Sequence, residues 1–267
     1  MSDSSYFDRR AATYDQDELH HRVVSLLLDA VDIRPGSSIL DIATGTGLLA
    51  LAAAQRVGPD GNVTGIDVSP GMLAEARRKA EAAALRNIGF LQADAEQLAF
   101  PPDSFDYIFC ASAIVFMSDV SAALRRWSDF LKPNGVVAFD APAKPFGLPE
   151  RIAATAAAHG VRLAYAEVAD TAGQCRELLE GAGFDVMDVR TERAGDGPIA
   201  LAEAIAFWDG RLDHPAWQAV KRAPPARRAV MRSGYVDSVT LAAIDGRVPN
   251  NTVLNFVVGR KAAAVRA

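Results

Sequence analysis

Ser38-Ile39-Leu40-Asp41-Ile42-Ala43-Thr44-Gly45-Thr46-Gly47-Leu48-Leu49-Ala50 reads as an apolar strand that ends in a carboxylate, turns through two glycines and enters an alanine-rich helix. Gly45 and Gly47 let the backbone approach a ligand with no Cβ in the way. The helix start offers N–H groups that have no intrahelical partner. Gly45-x-Gly47-x-x-Ala50 also satisfies the relaxed dinucleotide pattern, and Asp67 follows Gly47 by 20 residues, where such folds place a ribose-binding carboxylate. The motif alone therefore leaves two nucleotide-type cofactors open. Asp41 favours one of them. A carboxylate just before the turn repels a pyrophosphate and attracts a ligand carrying an ammonium and a sulfonium, which points to S-adenosylmethionine (SAM).

The chain has 267 residues, half of them hydrophobic, enough for one large α/β domain with an elaboration or a small cap. A formal charge of −5 implies no global basic face, so no nucleic-acid partner is expected. Cys110 and Cys175 form neither a metal-binding nor a redox spacing, and no metal is expected. Residues 1–10 are polar and lack the apolar core of a signal peptide. No run of about 18 apolar residues is present. A soluble, cytoplasmic chain with no membrane contact is the expectation.

Helices and strands alternate through the first half. Apolar residues at helical spacing predict a helix over 19–31, broken by Pro35-Gly36. Strands are predicted over 38–42, 62–66, 88–92, 107–110 and 136–139, the last entered through Pro133-Asn134-Gly135. Helices are predicted from Leu48 to Arg56, from Pro70 to Ala84 and over 120–131. This alternation implies a parallel sheet with right-handed crossovers, with ligands bound at the carboxyl edge of the strands. Later, a proline-bearing segment (141–168) contains a helix over 150–158. A helix over 171–183, a sixth strand over 184–189 and a last strand over 252–258 follow. About sixty residues, 191–251, intervene where a hairpin would need only a few, and are expected to form a cap. The chain divides accordingly into an N-terminal helical cap segment (1–33), a cofactor-binding core (34–140), a substrate-side segment (141–190), the cap insertion (191–251) and a last strand with its tail (252–267).

The order of these pieces resembles the class I SAM-dependent methyltransferases, in the branch of the ubiquinone and menaquinone biosynthesis enzymes. The resemblance covers about residues 6–139. Phe7-Asp8 and Ala11-Ala12-Thr13-Tyr14-Asp15 resemble that branch's entry motif. Residues 39–47 resemble its first cofactor motif, with Ala43 where the first of three glycines is usual. Gly65-Ile66-Asp67-Val68-Ser69-Pro70-Gly71-Met72-Leu73 resembles its ribose motif and Gln92-Ala93-Asp94-Ala95-Glu96 its adenine motif. Residues 104–108 and 131–135 resemble the motifs of the fourth and fifth strands.

The resemblance implies a doubly wound, seven-stranded, mostly parallel α/β sheet and a set of cofactor contacts. Asp41 would favour the methionine ammonium, while Ala43, Gly45 and Gly47 would bring main chain against the methionyl part. Asp67 would accept from both ribose hydroxyls. Val68 and Met72 would sandwich the adenine, Met72 through a thioether–aromatic contact. Asp94 would accept from the adenine amino group beside the Ala95 N–H. Cys110 and Ala111 would form the floor, and Tyr14 would close over the cofactor.

Many relatives carry a histidine pair after the fourth strand. Here that stretch is Ala113-Ile114-Val115-Phe116-Met117-Ser118-Asp119, which suggests an apolar substrate face. Candidate bases are therefore sought elsewhere, among His21, Asp140, His159, His214 and Tyr235, with His214 placed first because it lies in the insertion. The insertion also holds Phe207, Trp208 and Trp217, and Lys221, Arg222, Arg227, Arg228 and Arg232. It reads as a solvated helix face over core tryptophans, as a cap whose arginines hold a carboxylate or phosphate of the substrate, or as a homodimer interface. The expected activity is methylation of a small organic molecule, most simply at oxygen, with nitrogen and carbon as other acceptors. The alternatives are a methyltransferase fold recruited to a non-methylating reaction, a non-enzymatic binding protein on the same fold, and an NADP-dependent oxidoreductase, for which no Tyr-x-x-x-Lys is present.

Overall fold

A computed structural model describes residues 4–163, 169–195 and 197–263. Val168, where the proline-bearing segment was expected to end, lies outside them. The chain begins with α1 (Ser5–Arg10), a single 3-10 turn (Tyr14–Gln16) and α2 (Glu18–Asp29). The alternating part follows: β1 (Ser38–Ile42), α3 (Leu48–Val57), β2 (Asn62–Asp67), α4 (Pro70–Ala82), β3 (Ile88–Gln92), β4 (Phe105–Cys110), α5 (Val120–Phe130) and β5 (Leu131–Phe146). The remainder is α6 (Gly147–Ala158), α7 (Ala172–Gly181), β6 (Phe184–Arg193), β7 (Ile199–Ala200), α8 (Leu201–Arg211), α9 (Gln218–Arg222), α10 (Pro225–Leu241), β8 (Arg247–Val248) and β9 (Thr252–Lys261).

Seven strands form one sheet in the order β3-β2-β1-β4-β5-β9-β6. The first five pair in parallel, and β9 runs antiparallel between β5 and β6. Period-two alternation sends neighbouring side chains to opposite layers. Ile39, Tyr107 and Phe109 pack with α2 and α3, whereas Leu40, Ile42, Ile108 and Cys110 pack with α5 and α7. Both faces are covered, so the central strands are apolar on both sides.

Local chemistry sets the helix starts. Ser69 accepts from the Met72 N–H at 3.1 Å and Pro70 follows as the first residue of α4. Asp119 accepts from the Ala122 N–H at 2.8 Å to start α5. Thr171 and Gln174 form a reciprocal capping box at α7.

Three differences from the expected elements have physical causes. Pro133-Asn134-Gly135 is a break in register within β5 rather than a turn before it: Phe105 pairs with Leu131 and Tyr107 with Val136. Beyond the expected end at Phe139, β5 continues because β9 pairs with it as far as Phe146. In the same way β6 extends to Arg193, opposite Val253. The segment between β6 and β9 is mostly helical. Its α8, α9 and α10 share a third apolar cluster with α6, centred on Trp208, Trp217 and Tyr235.

Gly65 of β2 pairs with Asp41 and packs beneath the glycine turn. A Cβ there would lie 2.8 Å from Phe90 Cδ1 and 2.9 Å from Thr44 Oγ1. Gly65→Val is expected to destabilise the protein by about 1–3 kcal/mol through overpacking, read from urea denaturation.

Candidate functional site

The parallel register brings the ends of β1, β2 and β4 to one edge, where Tyr14, Asp41, Ala43, Gly45 and Ala111 line one cleft. Asp41 is 1% exposed. Its Oδ2 accepts from Thr44 Oγ1 at 2.6 Å, and among the described residues no cation pairs with it. Burial, only partly offset by the Thr44 hydrogen bond, pushes its pKa up to about 7. Three residues of the following turn take left-handed backbone: Ala43 at φ 54°, Gly45 at φ 55° and Gly47 at φ 80°. Glycine makes the last two inexpensive, while Ala43 accepts a conformation that costs an L-residue about 1–2 kcal/mol.

Asp67 ties this turn to the next strand. It accepts from the Gly45 N–H at 2.9 Å through one oxygen and from the Ser69 N–H at 2.8 Å through the other. Burial raises its pKa above the usual carboxylate value.

The cleft at this edge is narrow and is bounded by Tyr14, His20, Asp41, Gly45, Ala111 and Ser112, among others. A larger, more open hollow lies at the opposite edge, over Gly58, Asn62 and Asn87, and has no carboxylate in its lining. The N-terminal segment closes the first cleft through two carboxylates of the entry motif. Asp8 accepts from Ser69 Oγ at 2.6 Å and from the Gly71 N–H at 2.9 Å. Asp15 accepts from Thr46 Oγ1 and pairs with Lys79 at 2.6 Å. Tyr14 is thereby held in the wall of the cleft with Gly45, and burial raises its hydroxyl pKa well above the ordinary value.

His20, absent from the sequence candidates, stacks on Tyr14 with ring centroids 4.2 Å apart and 11° between planes. Its Nδ1 is buried and without a hydrogen-bond partner. Burial lowers its pKa to about 4, so the ring is neutral near pH 7. A signal existed: His20, Val23 and Leu27 share the inward stripe of α2, whereas His21, which was a candidate, is exposed and contacts the Asp15 carbonyl.

Other candidates are placed as follows. Ala111 is half-buried on the cleft wall. Cys110 is fully buried, and burial, with Asp140 and Asp41 nearby, pushes its thiol far from ionisation. Asp140 is buried with a pKa raised by burial to about 6, and it accepts from the Ser112 N–H at 2.6 Å, fixing the loop at the cleft floor. Val68 is half-buried beside Asp67. Met72, expected beside an adenine ring, is 1% exposed and turned into the interior, so it offers no open face. Asp94 caps its own turn, accepting from the Glu96 N–H at 3.0 Å and from Gln97 Nε2 at 3.1 Å. Ala95 is buried, and its carbonyl accepts from the Trp127 indole.

The expectation for His214 requires correction. Its Nδ1 accepts from the Ala216 N–H at 3.2 Å, which leaves Nε2 to carry the proton. Burial, reinforced by Arg211 and Arg10, lowers its pKa to about 3. The ring lies edge-on to Tyr6 at 5.2 Å and 5.6 Å from Phe116. It is an apolar wall with one donor, not a base. Tyr235 is likewise removed from the chemistry: its hydroxyl donates to the Ala204 carbonyl at 2.6 Å inside the third cluster.

A sheet of this order, with a glycine turn after β1 and carboxylates at the ends of β1 and β2, defines a nucleotide-cofactor fold. Residues 39–135 match the methyltransferase domain family. The chain is 30% identical over 275 residues to nocamycin O-methyltransferase of Saccharothrix syringae, covering 95% of this chain and 96% of that protein. It is 38% identical over 151 residues to aklanonic acid methyltransferase DauC of Streptomyces sp. (strain C5), covering 53% of this chain and 69% of that protein. The crystal structure of the YcgJ protein from Bacillus subtilis superposes with a TM-score of 0.64 at 21% identity, covering 92% of this chain and all of that one. The chain belongs to the class I SAM-dependent methyltransferases, and its cofactor is SAM. Among the described residues no helix is long and apolar enough to cross a membrane.

Asp41 gives this site a pH signature. Its pKa, about 7 when folded against 3.8 ordinarily, means that the folded protein holds a proton that the unfolded chain releases. Its stabilising contribution is therefore complete below about pH 4 and is lost as pH rises to about 7. Relative to Asp41→Asn, the cofactor-free wild type is expected to lose a few kcal/mol across that window, with a constant gap above it. Urea midpoints of both proteins at pH 5, 6, 7 and 8 measure the gap.

Proposed function

We propose that this protein transfers the methyl group of SAM to an oxygen atom of a small organic molecule. The observation that carries the reading is Asp41: a fully buried carboxylate at the cleft with a hydroxyl partner and no cation. The donor set suits SAM on two further counts. His20 presents a buried nitrogen with no partner, and the turn brings main chain to the cleft surface at Ala43 and Gly45. The names of the two relatives, an O-methyltransferase and a methyltransferase of an organic acid, support oxygen and a small acceptor.

In this reading Asp41 attracts the ammonium, and His20 with the first N–H groups of α3 attracts the carboxylate of the methionyl part. Asp67 accepts from the ribose hydroxyls, and Val68 and Asp94 border the adenine. When bound, SAM supplies a methyl group on a positively charged sulfur. The protein's work is then positioning and exclusion of water. The latched N-terminal segment places Tyr14 over the cleft, with the neutral His20 stacked on it. The core over 34–140 holds the cofactor, while segments 1–33, 141–190 and 191–251 enclose the acceptor. His214, Tyr235 and Asp140 are each engaged within the protein, so this reading favours an acceptor already ionised at oxygen.

Calorimetry tests this reading. SAM and S-adenosylhomocysteine are expected to bind while NADPH does not, and Asp67→Ala is expected to weaken SAM by about tenfold or more. No affinity for either SAM or its demethylated product, or unchanged affinity in Asp67→Ala, would overturn it.

A further inference from the structure

The basic residues that the sequence singled out in the 191–251 segment are largely engaged on the surface. Lys221 pairs with Asp213 at 2.6 Å, Arg232 grips Asp209 at 2.7 Å, and Arg228 donates to the carbonyls of Lys221 and Ala223. Two other guanidiniums differ. Arg10 ends α1 and Arg211 ends α8, both half-buried, and among the described residues neither has a carboxylate within 4.0 Å. A half-buried arginine packed on aromatic rings ordinarily finds a carboxylate partner, so the absence of one at both positions calls for an explanation.

The two approach one place from elements 200 residues apart in sequence. Arg10 donates to the Tyr6 hydroxyl at 3.0 Å, and its Cζ lies 5.6 Å from the ring centres of both Tyr6 and Tyr14. Arg211 lies 5.0 Å over the Phe207 ring, and its carbonyl accepts from the His214 N–H at 2.8 Å. Tyr6 and His214 are themselves in edge contact at 5.2 Å. After burial, the charges of both arginines contribute to lowering the pKa of both His20 and His214, in keeping with this convergence. Packing a guanidinium on aromatic faces leaves its N–H edge free for a bidentate oxyanion.

The nearby acids are otherwise employed. Asp15 is held by Thr46 and Lys79, Asp17 caps α2 by accepting from the Leu19 N–H, and Asp213 pairs with Lys221 and Arg9. Phe116 extends the aromatic surface. It lies 5.6 Å from His214 and 5.8 Å from Phe7, and at 37% exposed it is one of the few large apolar side chains left open. Tyr14, which lines the cofactor cleft with Gly45 and lies under Arg10, connects this surface to that cleft.

Resting on the methyltransferase reading above, we propose that Arg10 and Arg211 together seat the acceptor as an oxyanion, and that the acceptor is a planar, aromatic acid whose body lies against Phe116 and the Tyr6–His214 wall. The acceptor supplies the negative charge that the protein withholds from this pair. An oxygen already ionised also needs no base, in keeping with the unsuitability of His214 for that role.

The test uses the full chain saturated with S-adenosylhomocysteine and two matched probe pairs: 2-naphthoate against 2-naphthamide, and biphenyl-4-carboxylate against its amide. The expected result is that at least one acid binds about tenfold or more tighter than its amide, and that Arg10→Gln and Arg211→Gln each abolish that preference with S-adenosylhomocysteine affinity unchanged. Arg10→Lys should restore part of it. The proposal is overturned if neither acid is preferred, including the case in which no probe binds. It is also overturned if the variants keep the preference, or if cofactor affinity falls in parallel, which would make the arginines cofactor ligands. Wild-type affinity for S-adenosylhomocysteine is read separately. Its absence would sink the methyltransferase reading, whereas an acid preference measured without it would leave the arginine seat standing.

Discussion

A carboxylate buried to 1% exposure with only a hydroxyl and backbone for company is the constraint on which this site is built. Asp41 sits where β1 stops, so its charge is fixed at the carboxyl edge of the sheet by the register with β2 and β4. The surroundings are arranged to keep it there. Thr44 reaches back to it, Gly65 leaves room for Thr44, and Asp67 holds the turn by the Gly45 N–H. Left-handed backbone at positions 43, 45 and 47 follows from turning a strand into a helix while keeping main chain open to a ligand. The buried charge of Asp41 and the left-handed Ala43 cost stability in the cofactor-free protein, and with the hydrogen bonds that hold them they define a cavity suited to a cation.

The N-terminal segment joins that cavity to the acceptor side. Asp8 and Asp15 anchor it to the start of α4 and to the glycine turn. Anchored this way, it delivers Arg10, Tyr14 and His20 within ten residues of chain to three different jobs around one cleft. On the far side, the helical segment between β6 and β9 brings Arg211 and His214 to the same surface. The proposed acceptor site would thus draw on α1, the segment after β4 and the end of α8. None of these belongs to the strand-and-turn framework that holds the cofactor, which fits a family in which one cofactor serves many acceptors.

The cofactor half was legible in the sequence because its signals are local. Each strand from β1 to β3 ends in a turn with its own Gly, Pro or Asp chemistry, and Asp41 and Asp67 fall at strand ends by counting alone. Signals that depend on pairing were not legible. The lengths of β5 and β6 are set by β9, more than a hundred residues from β5. His20 lost to His21 because the choice rests on which face of α2 is buried. Arg10 and Arg211 escaped notice for a similar reason: isolated arginines look solvated until both are seen against the same aromatic contact. Conversely, His214 and the arginines of α10 drew attention by composition, and the fold gives the histidine a capping role and the α10 residues Arg228 and Arg232 surface partners. Met72 matched a motif yet points inward.

The most direct measurement is a pH titration of the Asp41 side-chain carbon by NMR, with and without saturating S-adenosylmethionine, using Asp41→Asn to assign the signal. The pKa is expected near 7 in the cofactor-free protein and lower by two units or more, about 3 kcal/mol, in the complex, because a bound ammonium holds the carboxylate ionised. A pKa that begins near the ordinary carboxylate value, or that does not move on saturation, would contradict the account.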